Sequence, residues 1–228
     1  MKLFRVILLL MLAGCAAPPT LTPSLPVVDF NQSWYQQAES AGQQIWTIDP
    51  QLSLITIAVR RGGSLARLGH DHIIASRNVN GLVAPEQGRA DFYFRLSELI
   101  VDETELRRAA GLPPELPADA IQATRLNMLS KVLEADRFPF VVLHAEKIAG
   151  DPSLLRLSIS LHGVTHSVDV PTLIELGNNS LTASGTMRLL QSQFNIKPAS
   201  ALNGALVVLD PLELHFQLVA HRRASLAR

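Results

Sequence analysis

From Ile45 onward, apolar side chains recur at alternate positions in one stretch after another, and that period confines the chain to sheet architectures. Ile45 to Ile48 opens the pattern, and Ser53 to Val59 sets Ile55, Ile57 and Val59 on one face. Arg89 to Leu96 places Phe92 and Phe94 on one side, with Asp91, Tyr93 and Arg95 on the other. Leu155, Leu157, Ile159 and Leu161 alternate with Arg156, Ser158, Ser160 and His162. After a tight turn, Val168, Val170, Ile174 and Leu176 continue the pattern, and Leu212, Leu214, Phe216 and Leu218 repeat it near the end. Helical spacing is confined to Glu103–Ala110 and Asp119–Leu133, where Asp119 reads as an N-cap and Ile121, Leu126, Leu129 and Leu133 as an apolar stripe. The sequence therefore predicts a mainly β fold. An antiparallel barrel of about eight strands with one helical insertion is favoured over a sandwich.

The N-terminal end sets an expected location. Lys2 and Arg5 precede the apolar run Val6 to Leu12, which is too short for a permanent span of about 18 residues. Leu12-Ala13-Gly14-Cys15 follows and resembles a bacterial lipobox, in which the cysteine is acylated and becomes the first mature residue. The expectation is a signal peptide over residues 1–14, a lipidated tether over 15–44 and a barrel domain over 45–223. Ala16 to Pro26 carries four prolines and suits an extended tether, whereas Asn31 to Gln44 reads equally as a short helix or as linker. Cys15 is the only cysteine, so the anchor leaves no thiol for a disulfide or a nucleophile. Palmitate-type acylation would hold the chain to a membrane without any spanning helix. Ala16, which is not acidic, points by resemblance to sorted Gram-negative lipoproteins to the periplasmic face of the outer membrane.

Charge excludes some partners. Loss of Lys2 and Arg5 with the signal leaves 18 basic against 20 acidic residues, and no basic cluster is interleaved with aromatics. Nucleic acid is therefore not an expected partner. Apolar content is carried by Leu, Ala, Val and Ile rather than by aromatics, which suits either a filled core or a cavity for a flexible hydrocarbon.

Several stretches, in their order, resemble the YceI-like family. Trp46-Thr47-Ile48-Asp49 is similar to its opening strand, and Leu129 to Val141, with Phe138-Pro139-Phe140, to its helix-to-strand passage. Leu157 to Val170, containing Leu161-His162-Gly163-Val164-Thr165, resembles its central hairpin. The resemblance covers roughly Ile45 to Arg222. It implies a lipocalin-like barrel in the bacterial envelope that binds a polyisoprenoid or related amphiphile. Two stretches depart from the family. Gln191-Ser192-Gln193-Phe194-Asn195-Ile196 stands where many members carry Asn-Arg before Phe-Gly, and Leu68-Gly69-His70-Asp71-His72 is an unusual early hairpin.

Histidines are the main candidates for chemistry. His70 and His72, two apart, would share a face with Asp71 opposite, forming half of a zinc or copper site that needs a further ligand. A two-residue loop at Gly163-Val164 would pair Leu161 with His166, Ile159 with Val168 and Leu157 with Val170. That register sends His166 inward as a candidate head-group contact and His162 outward. His215 and His221 read as solvated outer-face residues, and His144 as pointing inward. No Gly-x-Ser-x-Gly elbow, phosphate loop or same-face carboxylate pair appears, so binding is expected rather than catalysis.

The reading that follows is an envelope lipoprotein, anchored through Cys15, that carries a polyprenyl or quinone-type lipid and has no other cofactor. Phe92, Phe94, Leu157, Ile159, Val168, Val170, Leu214 and Phe216 would line the site, with His166 as its polar contact. The alternatives are a metal-binding protein using His70 and His72, and an interaction module whose barrel is solid. Composition does not distinguish a hollow barrel from a filled one.

Overall fold

The computed structural model describes Val28 and the stretch Phe30–Arg223. The lipobox, Cys15 and the proline-rich segment fall outside the described residues. Helix α1 (Gln32–Ser40) is followed by β1 (Trp46–Ile48), β2 (Leu54–Gly62), β3 (His72–Ser76), β4 (Asn80–Ala84), β5 (Arg89–Arg95) and β6 (Ile100–Val101). Helices α2 (Thr104–Ala109) and α3 (Ala118–Asn127) form the insertion. Then come β7 (Phe140–Ile148), β8 (Asp151–Leu161), β9 (Val164–Leu176), β10 (Ser180–Leu190), β11 (Ser200–Ala201) and β12 (Leu206–Arg222).

The ladders run β1–β4–β5–β7–β8–β9–β10–β12, and β12 pairs back with β1, closing an antiparallel ring of eight strands. Strand β12, 17 residues long, spans enough of the wall to pair both β1, at Ala220 to Arg222, and β2, at Val207 to Gln217. Strands β3 and β6 continue the wall beside β2. Among the described residues closure leaves no long exposed edge, and it turns the alternating apolar set inward. Ile55, Phe92, Phe94, Leu143, Leu157, Ile159, Val170 and Leu214 are all buried in one cluster. Burying each such side chain stabilises the fold by roughly 1.5–3 kcal/mol.

The β8–β9 hairpin corrects the predicted register. Its turn residues are His162 (φ 53°) and Gly163 (φ 76°), the paired positive values of a type I′ turn, one residue earlier than expected. Leu161 therefore faces Val164, Ile159 faces His166 and Leu157 faces Val168. Each partner shifts by two positions, so every side chain keeps its predicted face. His162 is not solvated: its ring packs at a tilt against Phe138, centroids 4.5 Å apart, with the side chain only 12% exposed.

The insertion differs in detail. Pro117, not Asp119, is the N-cap of α3, and Asp119 instead accepts a 3.0 Å bond from the N–H of Ala120. Helix α3 widens into a π turn over Met128–Val132, closed by Leu133 N–H to Met128 O at 2.9 Å. Met128 is buried, while Ile121, Leu129 and Leu133 pack against the core as the stripe predicts, but Leu126 is exposed. Helix α1 lies against the outer wall, where Tyr35 and Ala38 meet Ile45 and Ala84. Among the described residues no helix is long and apolar enough to cross a membrane.

Candidate functional site

The barrel is hollow. One cavity of about 230 Å³ lies toward the end bounded by Pro85, Glu86, Lys147 and Leu176. A second of about 300 Å³ lies toward the helical insertion, with Thr124, Asn127, Met128, Val132 and Leu133 in its wall. Ile55, Leu143 and Met187 belong to both walls and form the partition between them. Ligand pockets generally run from about 300 to 1,000 Å³, so either cavity alone is small and the two joined would be ordinary in size.

Seven predicted lining residues are placed there. Phe92, Leu157, Val170 and Phe216 line the smaller cavity, and Phe94, Ile159 and Leu214 line the larger. Val168 and His166 do not line either. Val168 borders an outer concavity, and the His166 ring packs edge-on against Phe194 at 6.0 Å, so the expected head-group contact sits in the wall. Partition residue Met187 and the polar lining residue Gln191 were not anticipated. Gln191 is buried and donates through Nε2 to Leu209 O (2.9 Å) and Asp210 O (3.3 Å). It occupies the stretch in which the Asn-Arg pair is absent, and there it fastens backbone.

The wall has a seam. The β9–β10 ladder stops at Gly185 opposite Thr172, and the next position on β9 would be Pro171, which has no N–H to donate. A Cβ on Gly185 would lie 2.6 Å from Pro171 O and 2.8 Å from Phe216 Cζ, so only glycine lets the strands cross so closely. Beyond that point Met187 and Leu214, both cavity-lining, also border the concavity between the separated strands.

The larger cavity is also lined by a histidine, His72. It shares the inward face of β3 with Ile74, and its Nδ1 lies 2.6 Å from Asp102 Oδ2. Asp102 Oδ1 accepts from the N–H of Ile73 (3.0 Å) and from Arg107 (2.6 Å), and Arg107 also donates to Asp71 O and Pro113 O. Burial would raise the Asp102 carboxyl, but the bonds from His72, Ile73 and Arg107 outweigh it and hold it below the ordinary carboxylate range. Asp102 also adopts φ 59°, a left-handed backbone that aspartate tolerates better than most residues.

His70 is exposed, with its ring centroid 6.4 Å from that of His72. Asp71 turns to Arg60 and Arg61, and among the described residues no group of three or more His, Cys, Asp or Glu is arranged to hold a metal ion. His144 points outward, not inward. Its Nδ1 lies 2.7 Å from Asp91 Oδ1 and its Nε2 2.9 Å from Glu146 Oε1. Asp91 also accepts from Tyr35 (2.7 Å) and Arg89 (2.9 Å), which fastens α1 to the barrel. Burial, reinforced by the Asp91 charge, pushes the Tyr35 phenol far above its ordinary value. His215 and His221 are exposed as expected, His221 beside Asp49 at 3.3 Å.

Comparison with known proteins agrees with this architecture. A polyisoprenoid binding domain from Saccharophagus degradans, implicated in plant cell wall breakdown, superposes with a TM-score of 0.56 at 9% identity, covering 78% of this chain and 98% of that one. BcnA of Burkholderia cenocepacia superposes with a TM-score of 0.53 at 14% identity, covering 75% and 98%. At these identities the likeness is one of fold. No curated protein sequence matches the chain. The family model of the YceI-like domain matches residues 46–220, most of the chain, and the chain belongs to the YceI-like family.

Proposed function

We propose that this protein is an envelope lipoprotein whose barrel holds an apolar isoprenoid-type lipid, a polyprenyl chain or a quinone, and that it carries this cargo rather than transforms it. The observation that carries the reading is the pair of apolar cavities that share Ile55, Leu143 and Met187 in their walls. Met187 is unbranched and flexible, so its rotation would join the two chambers along the barrel axis. A hydrocarbon in such a space gains about 25 cal/mol for each Å² removed from water, without needing polar contacts. The Saccharophagus degradans domain of the same fold, described as polyisoprenoid binding, supports this cargo class. Acylation of Cys15 would tether the barrel to the periplasmic face of the outer membrane.

Native mass spectrometry of the exported Cys15→Ser protein, purified without detergent, tests the reading. A bound mass of several hundred daltons, lost on denaturation and reduced in Leu157→Trp or Val170→Trp, is the expected result. A clean apo mass, or lipid unchanged in both Trp variants, would sink the cavity assignment. A metal mass abolished in a His70→Ala/His72→Ala variant would favour the metal alternative instead.

A further inference from the structure

We infer that the lobe built from residues 60–70 and 196–209 docks the barrel onto an anionic phospholipid surface, turning the rim of the larger cavity toward the bilayer. The lobe is one knitted unit. Gly62 and Arg61 pair with Val207 and Val208, while Ser200 and Ala201 pair with Val207 and Leu206. The N–H of Leu65 bonds to Ala205 O, and that of Val208 to Ala199 O, each at 2.8 Å. After Val208 the β12 register breaks, and Gln191 holds the displaced backbone of Leu209.

This unit exposes what a folded domain normally hides. Leu68, Leu202 and Leu209 are 58%, 57% and 43% exposed. Leu202 also adopts φ 52°, a conformation that costs a bulky residue energy without being repaid by packing. Charge specifies the partner. The two stretches contain Arg60, Arg61, Arg67 and Lys197 and no Asp or Glu, in a chain whose formal net charge is zero. Just outside, Asp71 is shared by Arg60 and Arg61, Glu213 lies 3.9 Å from Arg60, and Asp210 is engaged by Ser192, which leaves Arg67 and Lys197 to carry the positive charge. Arg67 and Lys197 are exposed and have no acidic partner among the described residues. Leucines protruding among cations match the boundary between acyl chains and anionic head groups. The position of the lobe agrees, because Val59, Ala199 and Val208 at its root line the larger cavity. Docked this way, a lipid would pass between bilayer and barrel without crossing bulk water. That consequence rests on the carrier reading; the docking itself does not.

Flotation of the chain from Ala16 to Arg228, which retains every described strand and helix, tests docking without the acyl anchor. The probes are vesicles of phosphatidylethanolamine with phosphatidylglycerol, and of phosphatidylcholine alone, neither containing isoprenoid. Binding is expected only to the anionic vesicles, weakening with salt. Arg67→Glu with Leu202→Ser should lower the bound fraction about tenfold or more, as should Lys197→Glu with Leu68→Ser. Leu173→Ser, which removes a leucine 61% exposed elsewhere on the wall, should leave it unchanged. Both double variants must keep the wild-type urea midpoint, and the second pair stands if the first does not fold. Absent or equal binding to the two vesicle types would overturn the proposal, as would loss in Leu173→Ser or no loss in a folded double variant. Loss of self-association by the double variants on gel filtration, without vesicle binding, would assign the lobe to a second copy of this chain. Because the vesicles hold no cargo, failure here leaves the cavity reading untouched.

Discussion

Asp102 Oδ2 stands 2.6 Å from His72 Nδ1 while Asp102 Oδ1 takes a 2.6 Å bond from Arg107, so a single buried carboxylate orients the cavity histidine and neutralises a buried cation. The arrangement joins the lining of the larger cavity to helix α2, which carries Arg107. Asp102→Asn preserves shape and the left-handed backbone but leaves Arg107 buried without its counter-charge. A loss of about 3 kcal/mol or more in urea unfolding at neutral pH is expected.

The same carboxylate gives an acid-sensitivity prediction. Its folded pKa is depressed, so its contribution is complete above the unfolded value of about 3.9 and is lost as pH falls through the lower folded value. The stability gap between wild type and Asp102→Asn should therefore be constant near neutrality and shrink below about pH 4. A gap that stays constant down to pH 3 would argue that the charge is not what the network uses.

Met187 borders both cavities, so under the proposed carrier reading its size would limit the length of the lipid held. Met187→Ala should merge the chambers at a cost of about 2–4 kcal/mol. The co-purifying lipid should shift toward longer chains. An unchanged lipid profile would mean that the side chain does not limit what the barrel accepts.

Tyr35 ties α1 to the wall through its hydrogen bond to Asp91. Tyr35→Phe removes a bond to a charged acceptor but leaves Arg89 and His144 on Asp91, so a loss of about 1–2 kcal/mol is expected. Limited proteolysis should cut more readily between α1 and β1, with barrel fragments unaffected. Equal cleavage in both proteins would place the hold on α1 in Ala38 and its apolar neighbours instead.

Gly163 occupies φ 76°, and a Cβ there would lie 3.0 Å from Phe138 Cε1. Gly163→Val should destabilise by at least about 1–2 kcal/mol, because a β-branched residue resists the left-handed region and Phe138 crowds it. A melting temperature equal to wild type would mean that the hairpin tolerates another turn type.

Alternation along β5, β8, β9 and β12 made the barrel legible from the sequence, since a period of two leaves one face per strand for the core. The same parity survived an error in turn placement at Gly163, because moving the turn by one residue moves the pairing sum by two. Alternation gave the inward face of the seven named residues that border the cavities, while the expectation of a hollow came from the family resemblance. Face, however, is not depth. His166 faces inward yet packs on Phe194, and His144 faces outward because it shares a face with Val142 rather than with Val141 and Leu143. The hollow, the seam at Pro171 and the Asp102–His72 pair depend on distances between strands and loops far apart in the chain. Local periodicity carries no such distances. Which face each strand turns inward is written in the sequence; how far apart the walls stand, and what meets across them, arises only when the ring closes.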